Sequence, residues 1–302
     1  MRLGLYLPTW HRTDRSVATW AEMRSLARAA EDIGVDMLVV ADEPGFWECW
    51  TLLSALAELT SRVAIGPLVV CTRYRQPALL AAMVLALDEV SGGRLVLGLG
   101  SGQGPGDPRW SALGYDGTAH VGRFGEAVEI VVRLLREGPI DFEGRFERVA
   151  SPDIGPRGPR PTGPPIWIAG ARPRTMDVAA RWGDAVNGGD GLTGTASVEA
   201  LRSAIGEACE RVGRDTGTVG LTGWSRIAPW DDPRAGLERR DTIAGSPDAV
   251  AQRLLEIGAA GVTDVTCFIG DPDDGREFPL LTERALDRFA AVLELVRAGQ
   301  AG

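Results

Sequence analysis

The sequence predicts an α/β fold in which eight strand–helix units close into a parallel (β/α)8 barrel, the TIM-barrel architecture. The first observation is a regular alternation of short apolar runs with longer segments of helical periodicity, a pattern typical of βα units. The second is that eight such units occur, which favours a closed barrel over an open sheet. The third is size: 302 residues, 44% of them hydrophobic, can bury the core of a single barrel domain spanning residues 1–302.

The predicted strands are short apolar runs bounded by turn residues. In chain order they span residues 2–7, 36–41, 62–70, 94–99, 165–169, 184–187, 219–227 and 262–268. The predicted helices that follow them lie near residues 17–33, 50–60, 77–91, 121–136, 174–182, 198–212, 247–258 and 280–296. Because active sites of such barrels lie at the carboxyl ends of the strands, the loops after the strands contain the candidate functional residues.

Two connections are longer than a barrel requires. Residues 138–163 form an insertion rich in proline, glycine and arginine. The insertion leads into a strand, so we expect it on the non-catalytic side, as a surface excursion or a contact with a neighbouring subunit. Residues 228–245 follow the seventh strand and are a candidate lid.

The composition excludes several classes of function. A net charge of −9 with scattered arginines argues against nucleic acid or an anionic membrane as partner and favours a small-molecule substrate. The chain contains no lysine, which excludes Schiff-base chemistry by a lysine amine. The sequence has no membrane-spanning run, no signal peptide and no cysteine in metal-ligand spacing. We therefore expect a cytoplasmic protein with reduced cysteines and no metal site.

A glycine-rich turn follows the fourth strand in the run GGRLVLGLGSGQ. Gly98, Gly100 and Gly102 remove Cβ atoms where the backbone would approach a planar or anionic ligand, and glycine permits positive φ angles. We expect a ligand beside this turn, the alternative being an ordinary tight turn.

Acidic and aromatic residues follow the second strand in the run ADEPGFWECW. Asp42 and Glu43 are adjacent, so at most one of them points into the barrel mouth. A carboxyl group near the aromatic side chains of Phe46, Trp47 and Trp50 would have a raised pKa, which suits a proton donor near neutral pH. The alternative is that both acids are solvated turn residues.

Trp10 and His11 follow the first strand at the predicted catalytic rim. His11 is one of only two histidines in the chain. It is a candidate general acid or base, and the alternative is a hydrogen-bonding role toward the substrate.

The fifth strand ends in IWIAGARPRT, where Gly170 and Ala171 lead into a helix. The free N–H groups of a first helical turn and the positive end of the helix dipole favour a phosphate, and Arg172, Arg174 and Thr175 would complete the site. The alternative is ordinary helix capping by Thr175 with solvated arginines.

Five segments together resemble the luciferase-like monooxygenase superfamily, whose members are flavin- or deazaflavin (F420)-dependent oxidoreductases. These segments are LGLYLP, WTLLSALAELTSRVAIGPLVV, YRQPALLAAMVLALDEVSGGRLVLGLGSG, PPIWIAGARPRTMDVAARWGDAVN and IAGSPDAVAQRLLEIGAAGVTDV. The resemblance covers nearly the whole chain. It implies a luciferase-like (β/α)8 barrel with the flavin or deazaflavin ring in its mouth, and a dimer or larger homo-oligomer.

The resemblance also implies positions for the cofactor. It places Asp42 and the next residue beside the ring, and it makes Leu68–Val69 the equivalent of a non-prolyl cis peptide that supports the ring. The remaining implied contacts are Gly100, Ser101, Gly102 and Gln103 with the ring or the cofactor tail, and Gly170, Ala171, Arg172 and Thr175 with the phosphate.

The chain departs from sugar-phosphate dehydrogenases of this superfamily at two positions. Those enzymes have histidine after the aspartate and glutamate at the end of the glycine loop, where this chain has Glu43 and Gln103. The usual pair of proton-handling residues is therefore absent, and that substrate class is not expected. Glu43 could replace the histidine as the acid, leaving Gln103 a hydrogen-bonding residue.

The resulting hypothesis is hydride transfer between F420 and a small organic substrate. Glu43 or His11 would exchange the proton, and Trp10, Trp47 and Trp50 would shape an apolar pocket. The alternative within the superfamily is monooxygenation by reduced FMN and O2; a flavin or F420 reductase is then a possible partner. An alternative of another class is a phosphosugar isomerase or lyase, which leaves the aromatic cluster without a purpose.

Overall fold

The computed structural model describes residues 1–10, 17–104, 106–231, 242–269 and 281–301. The strands are β1 (Arg2–Tyr6), β2 (Met37–Val40), β3 (Ala64–Pro67), β4 (Val70–Cys71), β5 (Leu97–Gly100), β6 (Asp141–Glu143), β7 (Arg148–Ala150), β8 (Ile166–Gly170), β9 (Ala185–Gly188), β10 (Gly220–Ala228), β11 (Thr242–Ala244) and β12 (Val262–Ile269). The helices are α1 (Trp20–Asp32), α2 (Cys49–Leu59), α3 (Pro77–Val90), α4 (Pro108–Ala112), α5 (His120–Arg136), α6 (Pro173–Trp182), α7 (Thr195–Val212), α8 (Pro247–Ala259) and α9 (Glu283–Ala301).

The parallel strands form a barrel with the order β3-β2-β1-β12-β10-β9-β8-β5-β4. The two ends of this order, β3 and β4, are separated along the chain only by Leu68 and Val69, so they are two parts of one barrel strand. A parallel bridge between Ile65 and Leu95 joins β3 to the segment before β5 and completes the ring. Eight barrel strands result within the described residues, and the predicted (β/α)8 barrel is confirmed.

The predicted helices are also present, with shifted ends. α1 begins at Trp20 rather than at residue 17, because Thr19 caps it: the Thr19 hydroxyl accepts the N–H of Glu22, and the Glu22 carboxylate accepts the N–H of Thr19. No helix in the described part of the chain is long and apolar enough to cross a membrane.

The insertion at residues 138–163 contains the antiparallel hairpin β6–β7. The hairpin runs back along α5, and the Glu126 carboxylate of that helix accepts the N–H groups of residues 145–147 at the hairpin tip, at 2.8 to 2.9 Å. The tip thereby reaches the first turn of α5, at the catalytic end of the barrel. The expectation that this insertion stays on the non-catalytic side is wrong for its tip.

Alternating side chains of the strands separate two cores. Leu3 and Leu5 of β1 belong to the large core between the strands and the helices, whereas Tyr6 lies in a smaller cluster inside the barrel. Met37 and Val39 of β2 belong to the same inner cluster. The inner cluster closes the barrel below its mouth.

Candidate active site

The third barrel strand is interrupted at the mouth by a cis peptide between Leu68 and Val69. The Tyr6 hydroxyl donates a hydrogen bond of 3.1 Å to the carbonyl of Leu68. A non-prolyl cis peptide at this position is what the family resemblance implied, and the geometry confirms it.

The glycines of β5 make room for this interrupted strand. A Cβ on Gly98 would lie 2.4 Å from the carbonyl oxygen of Pro67, and a Cβ on Gly100 would lie 2.3 Å from Cγ2 of Val69. At Gly102, where φ is +79°, a Cβ would meet the Trp110 ring at 2.6 Å. Close protein packing therefore accounts for these three glycines, and the ligand expected beside the turn stays a prediction.

Asp42 is buried and is held by donors from the loop after β4. Its carboxylate accepts two hydrogen bonds from Arg75, of 2.7 and 3.0 Å, and one of 3.1 Å from the N–H of Cys71. Burial raises the pKa of Asp42, and these three donors act in the opposite direction. Arg75 also donates to Glu48, the N-cap of α2. Asp42 thus ties β2 to the segment after the cis peptide, a structural role that does not suit a proton donor.

Glu43 points to a different neighbour, the connection between β5 and α5. Its Oε1 accepts a hydrogen bond of 3.0 Å from Nε2 of Gln103, and its Oε2 lies 2.8 Å from Nη1 of Arg109. Arg109 lies in the one-turn helix α4 and also pairs with Asp107 at 2.9 Å. Polar side chains, rather than the expected aromatic ones, therefore contact the Glu43 carboxyl group, and its role in proton exchange stays a prediction.

Aromatic side chains form the floor of the mouth. Tyr6 stacks on Phe268 with ring centroids 3.8 Å apart, and the ring of Trp10 lies 5.9 Å from the ring of Phe268. Trp224 meets the edge of Phe268 at 5.8 Å, and the buried Arg226 guanidinium lies 5.0 Å from the Trp224 ring. The floor is therefore a buried cluster of aromatic rings, of which Tyr6 and Phe268 are stacked and Trp10 and Trp224 are inclined to Phe268.

The predicted substrate-pocket residues divide between this floor and the helix layer. Trp10 belongs to the inner cluster, and Phe46 packs against it. Trp47 and Trp50 instead pack in the large core behind the strands. The indole N–H of Trp47 donates to the carbonyl of Ala18 at 2.9 Å. The assignment of Trp47 and Trp50 to the pocket is therefore wrong.

A water-sized cavity of about 10 Å³ separates the glycine loop from α5. Ser101, Arg73, Arg123 and Glu147 contribute to its lining. Nε of Arg73 and Nε of Arg123 are buried without hydrogen-bond partners among the described residues. Burial raises the pKa of Glu147, because its carboxyl group faces this enclosed space. The cavity thus offers two unused donors beside Ser101.

The first turn of α6 begins at the carboxyl end of β8. The Thr175 hydroxyl accepts the N–H of Arg172 at 3.2 Å and donates to its carbonyl at 2.9 Å, so the capping alternative describes this side chain. Arg172 and Arg174 are exposed. Burial lowers the pKa of His120 at the start of α5, and the charge of Arg174 lowers it further. Because Arg174 lies at the start of α6, the starts of α5 and α6 lie side by side. Within the described residues, the guanidinium groups of Arg172 and Arg174 have no ion pair, so both remain at this edge for an anion.

His11 and residues 232–241 of the candidate lid lie outside the described residues. Sequence reasoning did not identify Tyr6, Trp224, Phe268 or Arg109. The first three occupy inward positions near the carboxyl ends of predicted strands, so strand alternation contained a usable signal for them. Arg109 had no such signal, because its partner Glu43 is distant along the chain.

Comparison with known proteins relates the chain to enzymes. Residues 1–239 match the family model described as luciferase-like monooxygenase. The chain is 22% identical over 285 residues to a 5,10-methylenetetrahydromethanopterin reductase of Methanopyrus kandleri, covering 88% of this chain and 80% of that protein. It is 29% identical over 233 residues to an F420-dependent glucose-6-phosphate dehydrogenase of Segniliparus rotundus, covering 72% of this chain and 67% of that protein.

A solved structure of riboflavin lyase RcaE, with modified FMN and riboflavin, has the same fold. It superposes with a TM-score of 0.79 at 16% identity, over 99% of this chain and 92% of that chain.

Proposed function

The chain belongs to the luciferase-like monooxygenase family, and we propose that it is an F420-dependent oxidoreductase acting on a small organic substrate. One observation is decisive for the proposal: an apolar mouth floored by aromatic rings, bordered by a cis peptide at Leu68–Val69, in a chain related to an F420-dependent dehydrogenase. When bound, F420 would supply hydride transfer at C5 of its deazaflavin ring.

The residues at the mouth fit such a cofactor. Val69 is half-buried at the cis peptide, and the apolar floor that contains Tyr6 and Phe268 would lie below the tricyclic ring. Arg172 and Arg174 at the start of α6 would bind the phosphate. Gly170 ends β8 and Ala171 follows it, directly before the two arginines. Ser101, Gly102 and Gln103, in the loop after β5, are further candidate contacts of the cofactor.

The substrate would lie on the remaining apolar wall. Trp10 and Phe46 would contact it, and Glu43 would exchange the proton that accompanies hydride transfer. The Glu43 and Gln103 pair differs from the residues implied for sugar-phosphate dehydrogenases, so a different small substrate is proposed. His11 stays a sequence prediction for the same role.

Monooxygenation by reduced FMN and O2 is the second candidate. It is favoured by the likeness to a structure that holds a modified FMN in this fold. A partner flavin reductase would then supply the reduced flavin.

Binding of F420 and FMN, each oxidised and reduced, separates the candidates. Fluorescence quenching and calorimetry on the purified protein measure both affinities, and we expect micromolar F420 binding with much weaker FMN binding. Substituting both Arg172 and Arg174 by alanine should weaken binding about tenfold or more, since each charge-assisted hydrogen bond contributes about 1.5 to 3 kcal/mol. The surface variant Arg211→Ala is the matched control. Preference for reduced FMN would support the monooxygenase, and binding of neither would return the phosphosugar alternative.

The proposed enzyme is a homodimer that associates through α3. Leu79 and Val90 are 57% and 49% exposed, and they form one stripe with Met83 and Ala86 on the outer face of that helix. Light scattering should give twice the chain mass, and Leu79→Glu should give the monomer. A cytoplasmic location is part of the same proposal, which the four free, buried cysteines support.

A further inference from the structure

We propose that Arg109 is a positioning residue that holds Glu43 as a carboxylate in the barrel mouth, where Glu43 accepts a proton from the substrate. This inference rests on the proposed function and narrows its substrate class. The substrate would bear an O–H or N–H group on the carbon atom that is oxidised.

The guanidinium group of Arg109 is held on two sides. Its Nη1 lies 2.8 Å from Oε2 of Glu43, and its Nε and Nη2 bind the two oxygens of Asp107 at 2.9 Å. Asp107 is the N-cap of α4 and also accepts the backbone N–H of Arg109 at 2.9 Å. Because Asp107 binds two donors of this side chain, Nε and Nη2, Arg109 cannot turn away from Glu43 without losing its local partner.

The surroundings of Glu43 favour its charged form. Gln103 donates to Oε1 and Arg109 pairs with the buried Oε2, so Oε1 is the oxygen that retains a lone pair for a substrate proton. The side chain of Glu43 is 17% exposed, so the charge of Arg109 acts through a partly desolvated space.

The other titratable groups near Glu43 do not oppose this state. Burial raises the pKa of Cys71 to about 11 and raises the pKa of Tyr74, so both are neutral at pH 7. Of the two neighbouring acids, Asp42 pairs with Arg75, and Asp107 shares Arg109 with Glu43. Arg109 is therefore the group whose removal should change the protonation of Glu43.

The proton and the electrons balance in an oxidation. When bound, the cofactor would accept the hydride that leaves with its electron pair as the C–H bond of the substrate breaks. The O–H or N–H bond breaks as its proton passes to Glu43, and a C=O or C=N bond forms. An acid at this position would instead suit a substrate that gains a proton.

The test is an NMR titration of the Glu43 side-chain carboxyl, in protein labelled with ¹³C-glutamate and without cofactor. Glu43→Gln identifies the signal. In Arg109→Met we expect the titration midpoint to rise by about one pH unit, because an adjacent arginine favours ionisation by that order. Arg109→Lys should restore part of the difference. Arg211→Met removes an arginine from the surface pair with Asp177 and should leave the Glu43 midpoint in place.

The pH–rate profile gives the second readout. Substrate oxidation should need ionised Glu43, so kcat/KM should fall as the pH is lowered. In Arg109→Met, the pH at which kcat/KM falls should rise by the same amount as the titration midpoint of Glu43. An unchanged midpoint in Arg109→Met, or activity that increases as Glu43 becomes protonated, would overturn the inference. Failure of F420 to bind would refute the proposed function, whereas the titration needs no cofactor and would still decide the role of Arg109.

Discussion

The acidic residues at the two ends of the barrel have different partners. At the amino end, Glu31 accepts the N–H groups of residues 61–63 at 2.7 to 3.0 Å, and Asp36 accepts the N–H of Leu3 at 2.8 Å. At the carboxyl end, Asp42 and Glu43 are held mainly by arginine side chains from loops. Acids that bind backbone N–H groups, such as Glu31 and Asp36, join segments of the chain. Acids that bind side chains, such as Asp42 and Glu43, can differ in role even when they are adjacent.

Unused polar atoms show the same contrast. Oγ1 of Thr9, Nε of Arg73 and Nε of Arg123 are buried at the carboxyl end without hydrogen-bond partners in the described part of the chain. At the amino end, Asp184 accepts the N–H of Ile166 and two hydrogen bonds from Nη2 of Arg136. Within the described residues, the one buried atom at this end without a hydrogen-bond partner is Oδ1 of Asp264, which lies 2.6 Å from Nε of Arg2. Unsatisfied donors and acceptors are expected where a ligand binds, because elsewhere they only reduce stability.

The largest expected effect is a loss of activity when an acid at the carboxyl end of the barrel is replaced. Glu43→Gln should lower kcat of F420-linked turnover by about 10² to 10⁴-fold, the range for loss of a general acid or base. F420 affinity and the free energy of unfolding should stay close to the parent values, because glutamine keeps the shape and the bond to Gln103. Steady-state kinetics, fluorescence binding and chemical denaturation give the three quantities. Unchanged turnover would remove Glu43 from the mechanism.

The next effect tests whether Asp42, like the acids at the amino end of the barrel, contributes mainly to the free energy of unfolding. Asp42→Asn leaves Arg75, whose side chain is 12% exposed, without its ionised partner. We expect the free energy of unfolding to fall by about 3 kcal/mol, the order measured when one member of a buried pair is removed. Asp177→Asn breaks an exposed pair with Arg211 and should cost less than about 1 kcal/mol. Loss of turnover at parental stability would instead place Asp42 in the chemistry.

The smallest effect concerns the amino end and depends on pH. Burial alone would raise the pKa of Glu31, but the three N–H donors and Arg62 outweigh it and lower the pKa. Its contribution to stability is therefore present above the unfolded pKa, about 4.3, and is lost as pH falls through the folded pKa.

Glu31→Gln should then cost about 2 kcal/mol at pH 7 and progressively less toward pH 3, as expected for hydrogen bonds to a charged group. Urea denaturation of both proteins across this range measures the difference. The activity at pH 7 should be parental, and a constant difference across the range would refute the role of the charge.

Local patterns explain why most of the fold was predictable. Val39 and Leu38 alternate between the two cores, and such periodicity is visible in the sequence. The hairpin tip at residues 145–147 was misplaced, because its direction depends on Glu126 of a different element. The sequence analysis placed a ligand beside Gly100, whereas the structure places Val69 there. A glycine in a sequence does not reveal whether a ligand atom or a protein atom approaches it.

The sequence by itself determined the eight strand–helix units and their order, since strand and helix periodicities are properties of neighbouring residues. The tertiary structure alone decided which partners each of the two adjacent acids contacts. Asp42 and Glu43 find their partners Arg75 and Gln103 at separations of 33 and 60 residues. Barrel closure brings those loops together, and the long-range contacts that assign the two roles exist only after that closure.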